Sequence, residues 1–268
     1  MPKSQAERAN KIDAMMDQAS RALVSRDYFG AEKLALSALR RAHHDADYER
    51  MARIILPLQE ARRQKREMAF DTKRVFVVDG EIPHGRGLVS GCYLVTPPRV
   101  GADGRMLRDA ADEKRAPVFV LVREPPTRDG LWPIVAVGPV TVRAKVGPFV
   151  APPPPAPKAS AKGKARGEKG APAASAAGVP SVRWFVAAGE ALGDEAIGQV
   201  CVTLPAAVRV SALMDRLESV PHHEKLHQRL EEACREALLE PRRKRKPGQP
   251  EFAGDEFDLA DDPDDDIV

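Results

Sequence analysis

The segment Ala19–Ala42, ASRALVSRDYFGAEKLALSALRRA, decides the reading of the fold. Its apolar residues recur at helical spacing on both sides of a short break at Ser25-Arg26-Asp27. That pattern predicts a helix, a tight turn and a second helix, with Asp27 as the N-cap of the second. Upstream, Ile12, Met15, Met16, Ala19 and Leu23 fall three and four apart, which extends the first helix over about 4–25. In the second helix, about 28–43, Ala31, Leu34, Ala35, Ala38, Leu39 and Ala42 form a stripe rich in small residues. Small side chains on a packing face let two helix backbones approach closely. Asp45 or Asp47 caps a third helix, in which Tyr48, Met51, Ala52, Ile55 and Leu58 face inward. Pro57 removes one backbone hydrogen bond and is expected to kink it. The tail of that helix, ARRQKRE (61–67), is charged on every side and is expected to project into solvent.

A helix, a turn, and an acidic residue followed by tyrosine entering a second helix with small crossing residues resemble a tetratricopeptide repeat. The residues that carry the resemblance are Ala19 in the first helix and Tyr28, Ala31 and Ala38 in the second. Met15 stands where the family prefers Trp, Ala22 where it prefers Tyr, and His43 where a closing Pro is common. The resemblance spans about residues 12–43. It implies a helical hairpin that presents a protein-binding surface, with Met15, Ala19, Tyr28, Ala31 and Ala38 as candidate partner-binding residues.

From Arg74 onward the periodicity changes. VFVV (75–78), GCYLVT (91–96) and PVFVLV (117–122) read as strands, with a helix over 103–115 between the last two. In that helix Met106, Leu107, Ala110 and Ala111 are expected to face inward. Strand, helix, strand predicts two parallel strands joined by a crossover. PIVAV and VTVRAKV, split by Gly138 and Pro139, predict a hairpin. After a Pro/Ala/Lys-rich stretch, VRWFV (182–186) reads as a strand or a helix start, and AAGEALGDEAIGQV as helix. Two further helices follow at 208–220 and 222–239, with Leu213, Leu217, Leu226, Leu230, Ala233, Ala237 and Leu238 as expected core.

The fold class expected is therefore mixed α+β. An N-terminal helical module (1–70, about three helices) precedes an α/β body (71–150 and 181–240). The body is interrupted by a disordered linker (151–180) and followed by a basic, then acidic, disordered tail (241–268). The composition agrees with this plan. The chain has 268 residues, enough for one or two domains, and 43% of them are hydrophobic but only 5% aromatic, so Val, Leu and Ala must fill the core. The three cysteines, Cys92, Cys201 and Cys234, form no closely spaced pair, which argues for reduced thiols and a cytoplasmic protein. The N-terminus lacks the apolar run of a secretory signal, and no segment offers the roughly 20 apolar residues a spanning helix needs.

The sharpest chemical motif is His223-Glu224-Lys225-Leu226-His227. On a helix this HExxH spacing places two imidazoles on one face as candidate zinc ligands, with the glutamate set to activate a bound water. Lys225 puts a charge inside the motif and no later His offers a third ligand, so a solvated helix face is the simpler reading, and no metal or cofactor is expected. HGRGLVSG (84–91) matches no phosphate-binding fingerprint and reads as a loop. Asp79, Glu81 and His84 lie near it without a spacing that fixes their geometry, and Cys92 reads as core. Two basic segments could contact phosphate backbones in a salt-sensitive way: Lys158, Lys162, Lys164, Arg166 and Lys169, then Arg242, Arg243, Lys244, Arg245 and Lys246. No aromatics are interleaved to stack bases, and the acidic tail can screen these charges. The expected function is a non-enzymatic protein–protein interaction or scaffolding role for the helical module. The alternatives are an auxiliary nucleic-acid- or ribosome-associated protein and, last, a zinc-dependent hydrolase.

Overall fold

The computed structural model describes residues 5–149 and 179–240. The tail expected at 241–268 lies outside these residues, as does the linker expected at 151–180 apart from its last two positions. Three helices open the chain: α1 (Gln5–Val24), α2 (Tyr28–His44) and α3 (Tyr48–Asp71). The two connections between them are built alike. In the first, Arg26 adopts φ 63°, the Asp27 N–H donates to Ala22 O at 2.8 Å, and the Asp27 carboxylate accepts from the Gly30 N–H at 2.8 Å. In the second, Ala46 adopts φ 51°, the Asp47 N–H donates to Ala42 O at 2.8 Å, and the Asp47 carboxylate accepts from the Arg50 N–H at 3.1 Å. Each Asp thus satisfies an N–H that the new helix leaves without a partner. The third helix is capped by Asp47 and runs through Pro57 without interruption.

Five strands form one sheet in the order β1-β2-β3-β4-β5: β1 (Val75–Val78), β2 (Gly91–Val95), β3 (Val118–Arg123), β4 (Trp132–Val137) and β5 (Thr141–Val146). The first three are parallel, and α4 (Gly101–Glu113) joins β2 to β3. The last two form the expected antiparallel hairpin, with six residue pairs from Trp132↔Val146 to Val137↔Thr141. Strand β3 pairs with β4 at only two positions, Val122↔Val135 and Arg123↔Ile134. Toward the start of β3 the two strands diverge, which leaves a wedge in the sheet. Segment 182–186 is helical; it opens α5 (Val182–Gly198), followed by α6 (Ala206–Ser219) and α7 (Glu224–Leu239).

Alternation along the strands divides the core. Cys92, Leu94, Phe119, Leu121 and Ile134 belong to a large apolar cluster that also takes in residues of α1–α3 and α5–α7. Tyr93, Val95, Val122 and Val135 join a smaller cluster with Leu107 and Ala111 of α4. Helix α3 packs against α2 and α7 and also against β2 and β3, so the N-terminal helices are docked on the body.

Three expectations are corrected here. The 61–67 segment does not project: Ala61, Arg62 and Lys65 are buried, because the charges find partners on other elements. Met106 is 63% exposed, because α4 turns Gly104, Leu107 and Ala111 to the sheet. Its glycines set that face, since a Cβ on Gly101 would lie 2.3 Å from the Val137 side chain, and one on Gly104 would lie 2.2 Å from that of Val122. Leu238 is half exposed, close to the end of α7.

Candidate functional site

The wedge between β3 and β4 is closed on one side by the end of α6 and the turn into α7. Ser219 fixes that turn. Its hydroxyl lies 2.8 Å from Val140 O and 3.0 Å from Asp215 O, and Gly138 lets the hairpin pass within contact of the Ser219 backbone. Beyond the turn, α2, α3 and α4 converge with it on a polar cavity of about 130 Å³.

The wall of that cavity is a buried ionic network. Arg62 and Lys65, at 3% and 4% exposure, both donate to Glu32 of α2, at 2.7 and 2.6 Å. Lys65 also donates to Asp112 of α4 at 2.6 Å, and its ammonium sits 4.3 Å from the centre of the Phe29 ring. Burial would raise the Glu32 carboxyl, but the charges and hydrogen bonds of Arg62 and Lys65 outweigh it and hold it at about 2. Asp112 moves the other way, raised chiefly by burial.

The HExxH residues sit behind this network. His227 is 1% exposed, with Nδ1 2.9 Å from His223 O and Nε2 3.4 Å from Arg62 Nη1. A guanidinium can only donate, so Nε2 accepts and Nδ1 carries the proton, which defines a neutral imidazole. Burial first and Arg62 second depress its pKa to about 3. His223 is the residue before α7, and its ring rests on Gly193 of α5. Its Nε2 lies 3.2 Å from Glu190 and 3.5 Å from Asp194. Glu224 pairs with Arg66, which also donates to His222 O at 2.8 Å. Both nitrogens of His227 and the carboxylate of Glu224 are therefore engaged by the fold. Among the described residues no group of His, Cys, Asp and Glu has the arrangement of a metal site.

Gly193→Ala tests the seating of His223. A Cβ there would lie 2.0 Å from the ring's Cγ. Alanine gains about 1 kcal/mol of helix propensity, but overpacking a fully buried ring costs more. The expected net result is a loss of about 1–3 kcal/mol, read as a lower urea midpoint with the slope unchanged.

Of the candidate partner-binding residues, Ala19, Ala31 and Ala38 are each 0% exposed, locked into the helix packing by their small size, and cannot form a surface. Met15 and Tyr28 are half-buried. The basic segments Lys158–Lys169 and Arg242–Lys246 lie outside the described residues. His84 and Glu81 are exposed neighbours at 3.8 Å, in a loop holding a short 3-10 turn at Gly85–Gly87. Cys92 is core, and burial pushes its thiol up to about 12. The cavity itself is not visible in the sequence reading. Its lining comes from four helices and two turns, and the nearest local cue is the Arg62/Lys65 spacing, which resembles any solvated helix face.

No protein-family model, no curated protein and no solved structure matches the chain.

Proposed function

We propose that the chain is a non-enzymatic interaction protein of the cytoplasm, whose N-terminal helices act as a tetratricopeptide-like module on an α/β body. The observation that carries this reading is the repeated connection: two helix junctions with the same backbone turn, the same aspartate cap and a following tyrosine, twenty positions apart. Three free cysteines, one of them exposed, agree with a reducing compartment. Among the described residues, no helix is long and apolar enough to cross a membrane.

The surface that suits a partner is not the small-residue stripe but the outer face of α1. That helix packs chiefly on α2 and α3, and Lys11, Ala14, Gln18 and Arg21 recur at spacings of three and four along its exposed side. A photo-crosslinking residue at Ala14 or Gln18 of the full chain is expected to capture a discrete protein from native lysate, whereas one at Arg128, in the β3–β4 turn, is not. Lys11→Glu with Arg21→Glu should abolish the adduct. Equal capture at all three positions sinks the reading, and an adduct removed by nuclease replaces it with nucleic-acid association.

A further inference from the structure

We propose that the cleft at the β3–β4 wedge binds a small organic monocarboxylate, its carboxylate held by Arg108 and its short apolar tail lodged over Phe119. The charge pattern of the cavity points to the anion. Arg40 is paired with Glu218 at 3.0 Å, Arg62 and Lys65 share Glu32, and Lys65 also takes Asp112. Arg105 lies 3.7 Å from Asp109. Arg108 is half-buried and has no carboxylate within 4.0 Å among the described residues. Its one hydrogen bond to the described residues is a long one, 3.5 Å, to Ser219 O. Five basic side chains thus face four carboxylates in the lining, a surplus of one positive charge.

A second group in the same place lacks a partner. His222 Nδ1 is buried without a hydrogen bond, and the ring lines the cavity beside Arg108. A guanidinium grips a carboxylate with two parallel N–H donors, and a neutral imidazole carrying its proton on Nδ1 supplies one more.

The tail is read from the adjoining space. A second cavity, of about 40 Å³, continues into the wedge and shares Arg105, Arg108, Pro221 and His222 with the first. Phe119, Leu121, Val135 and Leu192 make its far wall apolar. Gly189 keeps it open on the α5 side, where a Cβ would lie 2.7 Å from the Phe119 ring. Such a volume takes roughly three water-sized groups, which suits a tail of about three carbons. A doubly charged phosphate would exceed the single surplus charge and leave the apolar arm unfilled.

The test is calorimetric titration of the full chain with n-butyrate, beside acetate, octanoate, n-butylammonium and inorganic phosphate. Saturable butyrate binding is expected, with acetate and octanoate each weaker by about tenfold or more and n-butylammonium silent. Arg108→Gln should weaken butyrate at least tenfold while leaving the circular dichroism spectrum and the ligand-free melting temperature at or above those of the parent, because it removes an unpaired cation. Arg108→Lys should retain part of the affinity. The proposal is overturned by no saturable butyrate binding, by a flat chain-length series in the unmodified protein, by phosphate binding more tightly than butyrate, or by unchanged affinity in Arg108→Gln.

Discussion

Glu32→Gln is expected to destabilise the protein by about 3–5 kcal/mol, the range found when one member of a buried ion pair is removed. Glu32 is shared by two nearly inaccessible cations, at 2.7 Å from Arg62 and 2.6 Å from Lys65. Lys65 keeps a second carboxylate in Asp112 and the face of Phe29. Among the described residues, Arg62 keeps only His227 Nε2, at 3.4 Å. The cost therefore falls on Arg62, which is left as a buried charge beside a neutral ring. Glutamine preserves the shape, so the loss reports charge rather than a cavity. In urea denaturation the midpoint should drop with the slope unchanged. Adding Arg62→Met should recover much of the loss, since replacing both members of a buried pair by apolar groups is often close to neutral. A double variant no more stable than Glu32→Gln would show that Arg62 is held by packing rather than by Glu32.

Acid is expected to unfold the protein in two overlapping stages, the first set by histidine. The His227 imidazole is held at about 3 against an ordinary 6.5. The unfolded chain therefore takes a proton that the native state refuses, and stability falls as pH drops from 6.5 toward 3. The shift corresponds to about 5 kcal/mol over that whole interval, or about 1.4 kcal/mol per pH unit. His222 and His223 are shifted in the same direction, each chiefly by burial, and steepen the slope. The second stage belongs to Glu32. Its carboxyl is depressed from 4.5 to about 2, so its contribution is complete above pH 4.5 and is lost as pH falls toward 2. Asp112, raised by burial, opposes this stage in part. Denaturant midpoints measured from pH 8 to pH 4 should show the histidine slope directly. In His227→Gln that slope should be shallower by about 1.4 kcal/mol per pH unit below pH 6. Parallel curves for parent and variant would mean that His227 titrates normally and that Arg62 does not donate to it.

Much of the fold was legible because its signals are local. The small-residue stripe and the Asp-Tyr junctions lie within a few residues of the helices they define. The short apolar runs bounded by Gly and Pro mark the strands just as directly. The charged wall of the cleft was not legible, for a physical reason. Arg62 is buried only because Glu32 lies 30 residues before it and His227 lies 165 after it, and a run such as ARRQKRE carries no record of such distant partners. The inward face of α4 was half legible. Apolar spacing points Leu107 and Ala111 inward, as the structure has them, but it favours Met106 over Gly101 and Gly104, whose missing side chains bring the helix against Val137 and Val122. Hydrophobicity alone undervalues glycine as a packing residue.

Helix α3 is covered on one side by α7, an element near the other end of the described chain. During synthesis α3 leaves the ribosome about 150 residues ahead of α7, which at cellular elongation rates is roughly ten to thirty seconds. For that time the apolar and charged flank of α3 that α7 will cover stands open to solvent. The N-terminal helices can form early from local contacts, but they cannot close over their own charges until α7 has emerged. A nascent chain stalled before Glu224 should therefore be a good chaperone substrate, and one released just after Leu239 a poor one.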